Sequence, residues 1–446
     1  MSAPRTNIPV AVPAGAPAGR GSTPGTAGGP ARTIAGSLPG ARGVADRLLH
    51  GTPGRMRLYG LIGVIAALLL GAISANALLA SQAAVERAAN NTAQVVRAQS
   101  IHVDLLRADA LATNAFLVGG VESADSRARY EEAMGAVAKS LSEAAAAQPA
   151  DGVALGALSQ QVQTYVGLVE QARANNRLNL PIGATYLTQA SDGLRSDAIP
   201  IIEAVVSANE QRASAEFDRS NSSLQLLVGL VSLIALVLIA VWLAKRTHRY
   251  LNPSLSAAIV ILVVGLFVAA STIGGIGNAT RNVQQGNFKT AVQLAGVTTA
   301  ANDARANESL TLIKRGSGAA YEKKWKTDDT AVRTALQDVT NGATLLSDWN
   351  AYREVHTKVR SLDDNGQWDQ AVALSTSTGA DGAATAFADF DTAATKQRDA
   401  ASKSAGNDLA ALGGSAPYYA AALAIAALIA AWLVVRGFGQ RIEEYR

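Results

Sequence analysis

Four stretches of this chain carry no charged side chain over a length that suits a membrane-crossing helix. They lie between Arg57 and Glu86, Arg219 and Lys245, Arg249 and Arg281, and Asp408 and Arg436. About 20 apolar residues span the hydrocarbon core of a bilayer, whereas a soluble helix normally carries polar residues along one face. We therefore predict an integral membrane protein that contacts the lipid bilayer through four transmembrane helices. Their bounds are 57–80, 223–244, 255–276 and 417–435.

The basic residues beside these spans are distributed unevenly. If the spans alternate in direction, three net-positive segments lie on the same side of the membrane: 1–56, 245–254 and 436–446. Short segments rich in Lys and Arg stay in the cytoplasm. We therefore expect a multi-pass protein of the cell (plasma) membrane with a cytoplasmic link, a cytoplasmic tail and both termini inside. The long segments 81–222 and 277–416 are then extracytoplasmic.

The N-terminal segment has the composition of a disordered tail. Residues 1–56 contain eight of the 13 prolines of the chain, together with many glycines, and such a segment cannot bury a core. The first apolar run begins only near residue 57 and is too long for the apolar region of a signal peptide. We expect a disordered cytoplasmic tail over 1–56.

The two halves share short similar segments in the same order, at offsets between 187 and 193 residues. The pairs are 238–243 with 428–433, Asn114 with Asn307, 130–132 with 321–323, and Tyr165 with Tyr352. Repeated order at a nearly constant spacing indicates an internal duplication. Each half then consists of a membrane helix, an outer domain and a second membrane helix.

Both outer segments show helical periodicity. In the first, we predict a helix that runs from the span to Gly119 and Gly120, then helices at 124–147 and 152–176. A short piece after Pro181 leads to a last helix that Pro200 opens, with Ser196 or Asp197 as its cap. In the second, the predicted helices are 277–314, 319–343, 344–361 and 383–416, with a looser stretch at 363–381. The predicted fold is an all-α membrane protein with two tandem extracytoplasmic four-helix bundles.

The residues that usually carry catalysis are few. The chain has no cysteine, and its four histidines stand alone, without the spacing of a metal site. Charged residues are absent inside the spans, which argues against an ion pathway. The surplus positive charge flanks the spans, so it indicates topology rather than nucleic acid. We expect a non-enzymatic protein with no cofactor, no metal and no nucleic-acid partner.

An outer bundle of about 140 residues between two membrane helices resembles the sensor domain of bacterial chemoreceptors. The resemblance implies two bundles side by side, here both from one chain, and it leaves a homo-oligomer open. Those receptors hold amino-acid carboxylates with arginines of the first helix. The resemblance therefore offers candidate ligand contacts: Arg97, Arg107, Asn114, Arg305 and Asn307. A simple intrahelical ion pair of Asp104 with Arg107 is the alternative for that arginine.

A protein partner would dock more naturally on the far ends of the bundles. The loops there are 119–125, 175–181, 315–321 and 363–368. Aromatic side chains dominate interface hot spots, so Tyr186 and Trp368 are the candidate anchors.

The overall plan is similar to that of the GlnX-type actinobacterial membrane proteins. The segments 108–117 and 441–446, the four spans and the lack of an effector domain after Trp242 or Trp432 carry this resemblance. It implies that the outer bundles recognise an amino-acid-loaded binding lipoprotein and signal to a cytoplasmic Ser/Thr kinase of the PknG type. A direct small-molecule (amino-acid) sensor and a structural membrane scaffold or accessory subunit are the alternatives.

Overall fold

The computed structural model of the protein describes residues 51–220, 224–247, 252–412 and 414–443. Helices make up the regular structure of these ranges. The expected disordered tail lies, up to residue 50, outside the described residues.

The first helix, α1 (Gly51–Val118), is 68 residues long and joins the first span to the first bundle without a break. At 1.5 Å per residue it is about 100 Å long. It ends where predicted, because Gly119 and Gly120 have φ values of 72° and 64°. A side chain is strained in this left-handed region, whereas glycine adopts it freely.

Bundle 1 consists of the distal part of α1 and four further helices. They are α2 (Ala124–Ala147), α3 (Gly152–Arg177), α4 (Ile182–Gly193) and α5 (Ile199–Ser220). Ser123 caps α2 by accepting the Ser126 N–H at 3.1 Å. Since α4 and α5 form one rod, four rods surround a core that includes Ile101, Leu158 and Ile202.

An α-helix begins at Ile199 with Pro200 in its first turn, as predicted, but the predicted break and cap before it are wrong. α4 continues into α5 through a π-helical turn, Leu194–Ala198, in which the Ile199 N–H donates to the Leu194 carbonyl. This wider turn accommodates a proline, which has no N–H to donate and crowds the preceding turn. Ser196 does not cap a helix, and its hydroxyl instead donates to Asp197 at 2.9 Å.

The membrane helix α6 (Leu224–Thr247) completes the first half. The second half contains seven helices in its described residues: α7 (Pro253–Val283), α8 (Lys289–Ile313), α9 (Ala319–Asp338), α10 (Gly342–Asp364), α11 (Trp368–Thr376), α12 (Ala383–Leu412) and α13 (Ala416–Glu443). Bundle 2 is formed by α8, α9, α10 and α12 around Trp349, Tyr352 and Phe390. The order of elements follows that of bundle 1, and their origin by duplication stays a prediction.

The helix predicted over 319–343 ends earlier, at Asp338. Two further details of bundle 2 differ from the prediction. The expected loose stretch 363–381 contains α11, which packs against the end of α8 through Ala371 and Leu312. The expected helix 277–314 is interrupted by a π-helical turn, Gln284–Phe288, in which Gly286 leaves the helical region at φ −101° and ψ −108°. The sequence signalled neither, since both depend on how neighbouring helices pack.

Within the described residues, four helical stretches are long and apolar enough to cross a membrane. They are formed by α6 and α13 and by the apolar parts of α1 and α7, which pack around residues such as Leu70, Leu236 and Val434. On the outside of this group Leu61, Val260 and Leu428 are exposed, as expected for side chains that face lipid. The predicted all-α membrane fold with four long apolar helices is confirmed.

α1 and α13 cross closely inside the membrane part. A Cβ atom on Gly71 would lie 2.1 Å from the Cβ of Ala427, so a larger residue than glycine does not fit at this crossing. Small residues allow this kind of close backbone approach between membrane helices.

The two bundles lie side by side along α1 and α8. Nearly every residue of α8 from Ala301 to Leu312 is buried, whichever way its side chain points. A helix buried all round has neighbours on every side: bundle 2 covers one side of α8, and α1 covers the other.

Candidate functional site

A cleft of about 520 Å³ lies where α1 and α2 of bundle 1 face α8 and α12 of bundle 2. We call it the inter-bundle cleft. Its polar lining comes from both bundles and comprises Asp104, Arg107, Asn114, Arg129, Glu132, Asn302, Arg305, Thr378, Thr385, Asp391 and Thr392. Its apolar lining includes Leu111, Ala133 and Phe387. A concave site with an apolar wall and a few polar groups is the usual form of a small-molecule site.

Arg107 joins the two bundles at this cleft. Its Nε donates to Asp391 Oδ2 at 3.2 Å, and its Nη2 donates to Thr395 Oγ1 at 2.9 Å. The alternative intrahelical pair is also present, with Nη1 at 3.1 Å from Asp104. Burial raises the pKa of Asp104, although Arg107 opposes the shift. Arg107 is therefore held by carboxylates of both bundles.

Arg305 makes a second connection across the cleft. It is only 3% exposed, and its Nη2 donates at 2.8 Å both to Asn114 Oδ1 of bundle 1 and to the Ser375 carbonyl. Its Nη1 pairs with Glu308 one helical turn further on. The guanidinium thus connects α1 to the interior of bundle 2.

Glu308 is the centre of a buried polar network. It accepts hydrogen bonds from His356 Nδ1 at 2.7 Å, Tyr352 Oη at 3.0 Å and Ser375 Oγ at 2.7 Å. Burial alone would raise the pKa of Glu308, but Arg305 and His356 lower it to about 2. A buried carboxylate stays charged only with this kind of support.

His356 lies between Glu308 and a second carboxylate, that of Glu322, with Nε2 3.4 Å from Glu322 Oε2. Its ring stacks on Trp325 at a centroid distance of 3.6 Å. Burial lowers the pKa of His356, but hydrogen bonds with the two carboxylates outweigh this effect and raise it. The network therefore favours a protonated imidazole.

The opposite flank of the α1–α8 contact is closed by Arg195. Its Nη1 is 2.9 Å from Asp109 Oδ2 in bundle 1, and its Nε is 2.7 Å from Asp303 Oδ1 in bundle 2. Asp109 is fully buried and also accepts from Ser191 Oγ at 2.6 Å and Tyr165 Oη at 3.3 Å. Arg195 lies in the π-helical turn of bundle 1 and links the two bundles. We call this link between Asp109, Arg195 and Asp303 the strut.

Asp328 lies beside this strut, where Asn307 Nδ2 donates to its Oδ2 at 3.0 Å. Burial and the nearby charge of Asp303 raise the pKa of Asp328 to about 7, while the hydrogen bond from Asn307 opposes the shift. This carboxyl group therefore titrates near neutral pH.

The structure brings three of the candidate ligand contacts together. Arg107, Asn114 and Arg305 line the inter-bundle cleft. Arg97 lies lower on α1 and donates to Gln94 Oε1 at 3.4 Å, outside the cleft lining. Asn307 points to the opposite flank, toward Asp328.

Sequence reasoning missed Asn302 and Asp391, which also belong to the polar lining of the cleft. Asn302 Nδ2 donates to Asp391 Oδ1 at 3.0 Å, so the two act as one unit with Arg107. Asn302 lies one turn before Arg305 on the predicted helix, and this spacing could have drawn attention to it. No local signal identifies Asp391, since its partner Arg107 is 284 residues away in sequence.

The far ends of the bundles form a second concave surface of about 520 Å³, the membrane-distal groove. Its lining includes Phe116, Gly119, Leu180, Arg315 and Trp368, so the groove draws residues from all four predicted loop regions.

The two candidate aromatic anchors differ in position. Trp368 lines the membrane-distal groove, where its Nε1 donates to the Leu312 carbonyl at 2.8 Å. The Arg315 guanidinium stacks on the tryptophan ring, 3.8 Å from the ring centroid. Tyr186 instead packs half-buried against the core of bundle 1.

Metal-binding chemistry has no obvious place among the described residues. No group of three or more His, Cys, Asp or Glu side chains there could hold a metal ion.

Comparison with known proteins gives one match. Residues 84–218 match the family described as the actinobacterial sensor domain. The matched segment begins in α1 beyond its apolar part and ends in α5, so it corresponds to bundle 1. No curated protein and no solved structure shows significant similarity to the chain. Together with the four apolar helices, the match supports an actinobacterial membrane sensor whose first bundle is similar to the sensor domain of that family.

Proposed function

We propose that the chain is a non-enzymatic transmembrane relay of the plasma membrane. In this proposal the bundles lie outside the cell and recognise an amino-acid-loaded binding lipoprotein, while both termini lie in the cytoplasm and signal to a Ser/Thr kinase. The match of bundle 1 to a sensor domain supports the sensing role. The likeness of the overall plan to GlnX-type proteins supports the choice of partners.

The observation that carries the proposal is the continuity of α1. One helix holds Gly71 against Ala427 in the membrane part and Asn114 against Arg305 near the far end of the bundle. A change at the far end therefore reaches the membrane helices through an unbroken rod. Packed helices tend to have discrete arrangements, so a small shift of α1 can switch the packing of its membrane neighbours.

Purified full-length protein in lipid nanodiscs tests the two partners. We expect it to capture an amino-acid-binding lipoprotein from the outer side and a soluble Ser/Thr kinase from cytoplasm. Addition of the amino acid should change the first interaction, because the proposal requires recognition of the loaded form. If the nanodiscs captured neither protein, the relay would be wrong, and a scaffold or accessory subunit would be the better description.

Direct sensing of a small molecule is the second candidate function. The inter-bundle cleft favours it, because Arg107, Asn114 and Arg305 line a space large enough for an amino acid. Isothermal titration of the full-length protein with single amino acids tests this candidate. Binding that Asn114→Ala weakens, with no lipoprotein present, would favour direct sensing over the relay through a binding protein.

A further inference from the structure

The far end of bundle 1 exposes an unusual amount of apolar surface. Among the described residues, exposed large hydrophobic side chains lie mostly in the membrane spans. Outside the spans there are six, and five of them lie in the two loops at the far end or at the helix ends beside them: Val118, Val121, Leu178, Leu180 and Ile182. Val153, at the other end of the bundle, is the sixth. Clustered apolar exposure of this kind marks interaction sites, whereas single exposed residues do not.

The two loops have a fixed shape. Asn176 Nδ2 donates to the Phe116 carbonyl at 3.2 Å and so ties one loop to the other. Within the second loop, the backbone N–H groups of Leu178 and Leu180 both donate to the Asn175 carbonyl, at 3.1 and 3.0 Å. Apolar side chains held on a preformed backbone bind a partner with a smaller loss of entropy than mobile ones.

The apolar loops continue into the membrane-distal groove. Leu180 lines that groove together with Trp368, and Arg315 covers the tryptophan ring. One surface therefore contains an apolar ridge from bundle 1 and an aromatic anchor from bundle 2. Together we call the ridge and the groove the distal apolar surface.

The charges around this surface are mainly positive. Arg177, Lys314 and Arg315 form no ion pair within the described part of the chain, whereas nearby Glu122 is neutralised by Arg173 at 3.0 Å. Asp125 is likewise paired with Arg129 at 3.0 Å. The partner should therefore carry acidic groups around an apolar centre, since complementary charge guides association.

The surface lies too far from the membrane for its apolar side chains to enter the bilayer. The part of α1 between Ser81 and Val118 has 38 residues, which corresponds to about 57 Å of helix. The groove is also open, and the ridge beside it protrudes, which suits a second protein better than a small molecule.

We propose that the distal apolar surface is the docking face for a globular extracytoplasmic protein with an acidic rim around an apolar centre. This inference rests on the proposed function, and it names the surface that the binding protein contacts. The side chains of Leu178, Leu180 and Trp368 supply the apolar contact, and Arg177 and Arg315 supply the charge.

Site-specific photocrosslinking in intact cells tests the docking face. The photoreactive residue p-benzoylphenylalanine replaces either Leu180, on the face, or Val153, an even more exposed apolar residue at the other end of the bundle. We expect Leu180 to crosslink to an extracytoplasmic binding protein and Val153 not to. An adduct of that protein at Val153 alone would overturn the docking face and leave the relay intact. A Leu180 adduct with a second copy of this chain would show a self-interface and also overturn it. No adduct with another protein at either position, together with no capture by nanodiscs, would overturn both proposals.

Affinity measurements with the captured protein give an independent check. Leu180→Asp should weaken its binding to the full-length chain by about 10- to 30-fold, the usual effect of a hot-spot change. The matched change Val153→Asp should leave the affinity unchanged. Both positions are exposed, so neither variant should unfold the bundle. Equal effects of the two variants would contradict the assignment.

Discussion

The guanidinium of Arg195 lies between two carboxylates of different bundles, 2.9 Å from Asp109 and 2.7 Å from Asp303. Asp109 is fully buried, so its charge depends on this arginine and on two hydroxyl donors. Removal of one partner from a buried ion pair is far more costly than its presence is stabilising. The strut is therefore a link between the bundles that a mutation can test.

We expect Arg195→Met to destabilise the full-length protein by about 3 kcal/mol, because it leaves Asp109 buried without its counter-ion. The measurement is thermal unfolding in nanodiscs, followed by circular dichroism. Arg97→Met is the matched control, since the side chain of Arg97 forms no ion pair within the described residues and donates one long hydrogen bond, to Gln94 at 3.4 Å. Equal unfolding temperatures for the two variants would contradict a structural role for the strut.

Asp328 should make the stability of bundle 2 depend on pH. Its pKa is raised to about 7 in the folded protein. The folded protein therefore keeps a proton on Asp328 that the unfolded chain loses near pH 4. This contribution to stability is present at low pH and is lost as the pH rises from about 4 to 7. Asp328→Asn stays neutral and keeps an acceptor for Asn307. We expect the variant to gain about 1–2 kcal/mol over wild type at pH 8, and less at pH 5.

Thermal unfolding at the two pH values measures this difference. The exposed carboxylate of Asp381, in the loop before α12, provides the control variant Asp381→Asn. A gain in stability for Asp328→Asn that was the same at both pH values would rule out titration of Asp328 as its cause.

His356 should also make the stability of bundle 2 fall as the pH rises, although here the bound proton creates a charge instead of removing one. Its pKa is raised by Glu308 and Glu322, so the charged imidazole stabilises the fold fully below pH 6.5. This contribution is lost as the pH rises through the raised pKa. We expect His356→Gln to be clearly less stable than wild type at pH 6, with a smaller deficit at pH 9.

His102 is the control for this prediction, because burial lowers its pKa to about 4. Its neutral form therefore stabilises the fold above pH 6.5, and this contribution is lost as the pH falls. The loss of stability caused by His102→Gln should therefore become smaller toward low pH. Identical pH profiles for the two variants would show that the histidines do not titrate as their surroundings dictate.

The helix crossing in the membrane depends on Gly71. Gly71→Ala places a Cβ atom 2.1 Å from that of Ala427, which forces α1 and α13 apart. We expect a loss of about 1–3 kcal/mol from this overpacking. Gly275→Ala in α7 is the matched control, since no neighbouring side chain lies within 4 Å of the added Cβ. The measurement is unfolding of each variant by sodium dodecyl sulfate. Equal resistance of Gly71→Ala and Gly275→Ala to the detergent would contradict the close crossing of α1 and α13.

Single engineered cysteines can show on which side of the membrane the bundles lie, because the chain has no cysteine of its own. Val121→Cys and Ser317→Cys lie at the far ends of the bundles, and Lys245→Cys lies at the end of α6; all three positions are exposed. With the bundles outside, an impermeant maleimide should label the first two in intact cells and the third only after lysis. The reverse pattern would place the bundles in the cytoplasm and end the proposed relay.

The parts of the fold that depend on composition and local chemistry were predictable. A long run of uncharged residues indicates a membrane span, and Gly119 indicates the end of α1. Both signals are local, because each depends on residues that are close together in the sequence. The π-helical turn before Pro200 was not predictable, since its geometry is set by the packing of α4 and α5 on the core. α11 was missed for a similar reason: it is short, and Ala371 gains its burial from the end of α8.

The candidate site was predictable only in part. Arg107 and Asn114 were chosen from their place on the first helix, and both line the inter-bundle cleft. Arg305 was also chosen, but most of its hydrogen-bonding capacity is used inside bundle 2 by Glu308 and Ser375. The sequence does contain Glu308 one turn after Arg305, a spacing that permits such a pair.

Because both bundles belong to one polypeptide, the residues on the two flanks of the α1–α8 contact can differ from each other. In a receptor made of two identical chains, a substitution on one flank appears on the other as well. Here Arg195 fills one flank while Arg107, on the other, borders a hollow. One flank can therefore serve to attach the bundles to each other while the other borders the inter-bundle cleft, so the described α1–α8 contact has one cleft rather than two equivalent ones.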